Sequence, residues 1–385
     1  MPTAPLAQKL IAVLQPLLPD MLGTLRKFVT AESPSLEKAP ADRCCEVIAS
    51  EWSSHGLQVQ RIPQKRHGDQ LRIVSPLSPS RSKGQLLVLG HYDTVYATGT
   101  LEKMPFRIGA GKTYGPGVFD MKAGIVQALF AHQALQKLNI PLTKRIVFLW
   151  TSDEEIGSEV SRKLIETEAR RSDAVFVLEP SSGPRGLLKT QRKGVGEAEL
   201  IVHGRASHAG LAPQEGVNAI HELCHQLTRV LQWNDPANGT TVNADIIEGG
   251  TRTNVIAERA RAILDLRATH IANMRRIERQ LHNLKPRLRG ARIEVRGGFS
   301  RAPLERKMSA HLFKLAQSQA SQMNLSLGEC LAGGGSDGNF TAALGIPTLD
   351  GMGAVGDGAH STHEHIFTKT MPHRAALLAA LLATV

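Results

Sequence analysis

The chain has 385 residues, a formal net charge of +11 and an apolar fraction of 42%. That length is more than one hydrophobic core usually holds, so two domains are expected, and the composition is that of a folded rather than a disordered or fibrous chain. Lys and Arg are scattered and only 4% of residues are aromatic, so no nucleic-acid partner is expected.

Residues 20–56 read as mostly helical, with a break at ESPS (32–35). Three short runs, GLQVQRIP, QLRIVS and QLLVLGHYD, then predict strands. The last is apolar until polar residues begin, the pattern of a strand buried on both faces. MKAGIVQALFAHQALQKL (121–138) carries apolar residues at helical spacing after a Gly-Pro-Gly loop. KRIVFLWTSDEE and DAVFVLEP each repeat the pattern of apolar strand followed by acidic residues. This alternation predicts an α/β sheet with substantial parallel pairing.

The middle of the chain changes character. GEAELIVHG, TTVNADIIEGG, ERARAILDLRAT and ARIEVRGG read as strands, with NAIHELCHQLTRVLQ and HIANMRRIERQLHNLK as helices between them. The order β-α-β-β-α-β is the ferredoxin-like arrangement. It predicts a domain at 187–303 inserted into a discontinuous domain of 1–186 and 304–385. After it, KMSAHLFKLAQSQAS resumes as a helix and GIPTLDGMG as one more buried strand. There is no internal repeat.

Cysteines stand at 44, 45, 224 and 330, none in a CxxC pair. Adjacent Cys44 and Cys45 are poorly placed for a disulfide, and a reduced, cytoplasmic compartment is expected. The apolar N-terminal stretch is broken by Pro16 and Pro19 and lacks a basic lead-in, so neither a signal peptide nor a membrane association is expected.

Five residues of metal-ligand type each follow an apolar run: His91 in GHYDTVY, Asp120 in YGPGVFDMKAG, Glu155 in WTSDEEIGS, Glu179 in VLEP and His360 in GAHSTHEHI. Ligands of open α/β sheets gather beyond the carboxyl ends of strands. Two imidazoles and three carboxylates suit two divalent metals that share one carboxylate. Glu154, beside a ligand, is then free to act as a base, because neighbouring residues at a strand end point in different directions. Taken alone, His91 would read as a core histidine and Asp153 to Glu155 as an acidic helix start. Their coincidence with the other ligands favours the metal. His363 and His365 are neighbours that compete with His360. His208, in HGRASHAGLAPQ, is a loop histidine, and the glycine run GGGSDGN (333–339), with Gly334 and Gly335, permits close backbone approach to a ligand.

The series H-x-D, G-P-G-x-x-D-M-K-x-G and D-E-E-x-G-S resembles the M20 family of zinc metallopeptidases and deacylases, especially its glutamate carboxypeptidase branch, over nearly the whole chain. The resemblance implies a zinc-exopeptidase-type α/β domain with a mixed, largely parallel sheet, carrying an inserted lid that also serves dimerisation. It implies that Asp120 bridges two zinc ions per subunit, with His91 and Glu179 completing one site and Glu155 and His360 the other. Cobalt or manganese suits the same ligands. It further implies that Asp93 orients His91 and that the Asp120–Met121 peptide is cis. His208 would reach the neighbouring subunit's active site in a homodimer and polarise the scissile carbonyl. Arg301 would hold a substrate carboxylate, assisted by Arg267 and Asn254; Thr253 stands where many relatives have Pro. The implied activity is cleavage of an amide next to an amino acid with a free carboxylate, in a small peptide by a carboxypeptidase. The alternative is an N-acyl-amino-acid deacylase of the acetylornithine or succinyl-diaminopimelate type. A non-catalytic dimeric binding protein is a third reading, against which the complete ligand set with Glu154 argues.

Overall fold

The computed structural model of the protein describes residues 4–77, 82 and 84–385. The expectation for the N-terminus lies partly outside these, at residues 1–3. The chain divides into two compact units. One comprises residues up to Thr190, Arg306–Ala332 and Ser336–Val385; the other comprises Gln191–Glu305 and Gly333–Gly335.

The first unit is built on a six-stranded sheet. Its order across the sheet is Gln58–Ile62, Gln70–Val74, Arg145–Thr151, Gln85–His91, Ala174–Val177 and Thr348–Leu349. The last four strands pair in parallel and the first two antiparallel. The central strand is buried along its whole length. Its side chains alternate between two cores. Leu86 and Val88 join one with the helices Leu6–Leu14, Ala123–Lys137 and Met371–Thr384. Leu87 and Leu89 join the other with Ile165, Val175 and Phe340. A continuous apolar run is what a strand covered on both faces requires.

Helix begins earlier than the sequence reading places it, at Leu6, with Ala7, Leu10 and Leu14 fully buried. Pro16 and Pro19 do not abolish helicity there; they sit in the first turns of Gln15–Leu17 and Leu18–Thr30, where proline lacks no bond it would otherwise make. Two small pairings also escape the sequence: a four-stranded sheet of Arg107–Gly109, Lys112–Tyr114, Gly356–Asp357 and His365–Phe367, and the pair Leu188–Arg192 with Glu329–Ala332. Such strands are too short for periodicity to reveal them.

The second unit is an antiparallel sheet in the order Thr241–Gly249, Arg259–Ala268, Gly194–His203 and Arg292–Arg301. Strand Arg259–Ala268 alternates strictly, burying Ala260, Ala262, Leu264, Leu266 and Ala268. Against these pack Leu223 and Val230 of helix Ala219–Leu231 and Ile277 and Leu281 of helix Ile271–His282. The Asn218 side chain caps the first helix by accepting from the N–H groups of Ile220 and His221. Among the described residues, no helix is long and apolar enough to cross a membrane.

One core histidine carries a pH prediction. His132, 1% exposed, contacts Ser75 Oγ at 3.0 Å. Burial, with a smaller contribution from His55, pushes its pKa down from 6.5 to about 4. Between those values the unfolded chain binds a proton that the folded chain refuses. Stability is therefore fully present above the unfolded value and falls as pH drops through this window, by up to about 3 kcal/mol. Urea midpoints measured across that range should fall less steeply in His132→Gln than in the parent; equal slopes would refute the assignment.

Candidate metal centre

The parallel strands end along one edge of the sheet, and three of the five candidate ligands follow from there. His91 is the last residue of its strand, Glu179 lies just past Val177, and Glu155 lies in the turn Glu154–Ile156 after Thr151. Asp120 comes from the loop before helix Ala123–Lys137, and its bond to Met121 is cis. His360 arrives from the far end of the chain with φ +60°, a left-handed backbone uncommon outside glycine.

These residues form two clusters that share Asp120. His91, Asp120 and Glu179 make one; Asp120, Glu155 and His360 make the other. His91 Nε2 lies 3.3 Å from Asp120 Oδ1 and 3.4 Å from Glu179 Oε1. His360 Nε2 lies 3.5 Å from Asp120 Oδ2 and 3.1 Å from Glu155. Asp120 thus offers one oxygen to each imidazole.

A pair of divalent cations fits this arrangement. His91 Nε2 and Asp120 Oδ1 are buried and make no hydrogen bond, and such orphaned polar atoms are costly unless something satisfies them. Burial opposes charge on His91, yet Asp120, Asp93 and Glu179 raise its pKa well above the ordinary value. Asp120 and Glu155 likewise push His360 up to about 10. Burial raises Glu155, whereas His360 and His91 pull Asp120 down against the same penalty. Three carboxylates around two imidazoles form a negative site, and a cation bound there would take the place of the imidazole protons.

Supporting residues hold the donors. Asp93 is fully buried. Its backbone carbonyl lies 3.1 Å and its Oδ1 3.4 Å from His91 Nδ1. The same carboxylate accepts from the backbone N–H of Glu154 at 3.3 Å and Glu155 at 3.2 Å, and from Ser35 Oγ at 2.7 Å. One side chain therefore orients the His91 ring and the Glu154–Glu155 turn together, leaving Nε2 of His91 toward Asp120 and Glu179.

Glu364 was not foreseen. It is fully buried and accepts from the backbone N–H groups of Gly117, Phe119 and Asp120 at 3.0, 2.7 and 2.9 Å, and from Tyr96 Oη at 2.7 Å. It cradles the loop that presents Asp120. Burial pushes its carboxyl up to about 7 despite these donors. The available signal was an acid between two histidines in STHEHIF, where only the histidines read as chemistry. Lys122, in the same loop, is buried too; its Nζ donates to the carbonyls of Phe28 at 3.0 Å and Ala31 at 2.8 Å, at the end of helix Leu18–Thr30. Gly90 and Gly124 permit close packing: an added Cβ would strike Met121 at the first and the Leu178 carbonyl at the second.

His363 is exposed, and His365 is buried with Nδ1 on the His363 carbonyl; neither belongs to the two clusters. In the second unit, His208 is exposed and its Nδ1 accepts from the N–H groups of Gly210 and Leu211 at 3.2 and 3.1 Å. Nε2 is then the protonated nitrogen. Arg267 pairs with both oxygens of Asp265, Arg301 is 6% exposed, and Asn254 is exposed with its carbonyl accepting from Ala209. The carbonyls of Gly334 and Gly335 accept from Arg192.

Two three-residue donor clusters joined by one carboxylate, at the carboxyl ends of parallel strands, define a di-metal hydrolase class of fold. Residues 87–384 match the model of peptidase family M20/M25/M40, and the chain is a member of the M20 family of metallopeptidases. It is 30% identical over 373 residues to carboxypeptidase G2 of Pseudomonas sp. strain RS-16, covering 94% of this chain and 89% of that protein. It is 28% identical over 356 residues to succinyl-diaminopimelate desuccinylase of Acinetobacter baumannii strain AYE, covering 87% and 91%. Its fold is similar to the aminopeptidase PepT of Bacillus cereus (TM-score 0.78, 22% identity, 95% and 98% of the two chains). A dinuclear metal-binding M20 peptidase of Bacillus subtilis is also similar (TM-score 0.70, 14% identity, 95% and 98%).

Proposed function

We propose that this M20 metallohydrolase is a carboxypeptidase that removes an amino acid with a free carboxylate from a small peptide, using two zinc ions. The observation that carries this reading is Asp120 shared between the two clusters. His91 and Glu179 would hold one ion, Glu155 and His360 the other, and Asp120 both. When bound, the pair would supply Lewis acidity and a water acidified to about neutral pH. Glu154, half-buried next to Glu155, would serve as the base, taking a proton from the attacking water and passing it to the departing amine. Asp93 keeps His91 and the Glu154–Glu155 turn in place.

Residues 187–303 serve as the lid in this reading. Arg301 grips the substrate carboxylate through paired hydrogen bonds, with Arg267, Asn254 and the Gly334–Gly335 backbone as further contacts. His208, protonated on Nε2, donates to the developing oxyanion of the partner subunit's substrate, an effect worth about 2.7–4 kcal/mol. The exposed edge strand Thr241–Gly249, with Ile246 and Ile247 48% and 58% exposed, supports a homodimer through this unit. A monomer in sedimentation with full turnover would remove the shared-site idea.

The 28% identity to a desuccinylase keeps the N-acyl-amino-acid deacylase as the second reading. Turnover of folate-type conjugates and dipeptides against acetylated and succinylated amino acids separates them. Preference for the peptides supports the carboxypeptidase, and preference for the acyl amino acids overturns it.

Glu364→Ala should weaken metal binding by about 10- to 100-fold, read by zinc titration against a chelator, because the Asp120 loop loses its acceptor. Unaltered affinity would leave Glu364 a mere packing residue.

A further inference from the structure

A cavity of about 320 Å³ lies in the first unit, lined by none of the five candidate ligands. That volume is at the lower end for small-molecule pockets, about 300–1,000 Å³. Its walls are sharply divided in character. Leu325, Leu327 and Val355 contribute apolar surface. Every titratable side chain around it is basic: Arg185, Lys369, His373 and Arg374.

The basic groups are not neutralised locally. Among the described residues none of the four makes an ion pair. Arg374 is only 5% exposed, and its guanidinium donates to the carbonyls of Gly353, Gly186 and Gly351. Three of its five donors are thereby engaged without any carboxylate. Burial alone pushes its pKa down to about 10, the mark of a buried cation with no counter-charge. The helix Met371–Thr384 starts at this cavity, and its cap residue Thr370 makes no side-chain capping bond. The positive end of that helix adds to the same field.

We propose that this cavity is a second, non-catalytic binding site for a small amphipathic carboxylate, its head held by the Arg185, Lys369 and Arg374 cations and its tail against Leu325, Leu327 and Val355. Charge complementarity selects the anion, and the apolar wall selects one with a hydrocarbon tail over a simple inorganic ion. Arg185 and Lys369 are exposed at the rim, whereas Arg374 is the buried floor.

Calorimetric titration of octanoate into the zinc-loaded full chain tests this. The parent should bind saturably, and more tightly than it binds octanamide or inorganic phosphate. The rim double variant Arg185→Glu with Lys369→Glu should weaken octanoate at least about tenfold. Leu327→Trp, which fills the cavity without touching a charge, should do the same, with circular dichroism reporting a native fold in both. Absence of saturable binding in the parent overturns the proposal. So does octanamide or phosphate binding as tightly as octanoate, or octanoate affinity kept within about twofold in either variant.

Discussion

Asp120→Asn is expected to remove activity and to drop the metal content from two ions per chain to one at most. Asp120 gives Oδ1 to the side of His91 and Oδ2 to the side of His360. Asparagine keeps one acceptor oxygen and replaces the other with an N–H₂ donor, which repels a cation. It also takes one negative charge from a site whose affinity rests on three carboxylates. The His91 cluster would retain only Glu179 as an anionic donor, and the His360 cluster only Glu155. Metal analysis after exhaustive dialysis, with zinc titration, checks this; two tightly held ions in the variant would end the bridging role.

Glu154→Gln should behave oppositely. Turnover should fall by about 100- to 10,000-fold, the usual range for loss of a general base, while zinc content stays near two per chain. Gln is the same size and keeps the backbone N–H that Asp93 accepts, so the turn has no reason to move. The carboxylate proposed as the base is replaced by an amide that cannot accept a proton at neutral pH. Steady-state kinetics with metal analysis on the same sample separates the two outcomes. Undiminished turnover would reject Glu154 as base, and lost zinc would instead make it a ligand.

Much of the fold was legible because its signals are strong. The run from Leu86 to Leu89 is apolar without interruption, and the structure explains this by placing alternate side chains in two different cores. The inserted unit was readable from the alternation of Arg259–Ala268, where every second residue is buried. The candidate ligands stood out only together: each alone has an ordinary reading, and the coincidence of two imidazoles and three carboxylates after apolar runs favoured a metal. Their division into two clusters was not readable from spacing, since it depends on which strand lies beside which; the family resemblance supplied it, and in the structure the side chains lie in two groups that share Asp120. Glu364 was invisible for a related reason. Its partners are backbone N–H groups of a loop far away in sequence, and a glutamate among polar residues looks like surface. The Asp265 partner of Arg267 was overlooked although it sits two residues away, because adjacent opposite charges on a strand carry no distinctive pattern.

The two clusters draw on the chain unequally. His91, Asp120 and Glu179 all precede residues 187–303, whereas His360 follows them. All three donors of the first cluster come from the N-terminal stretch, although Glu364 of the C-terminal stretch holds the loop of Asp120. An ion held by Asp120, Glu155 and His360 clasps together two stretches of polypeptide that a whole separate unit keeps apart in sequence. That ion would act as a reversible crosslink: its binding energy would resist detachment of the stretch that carries His360.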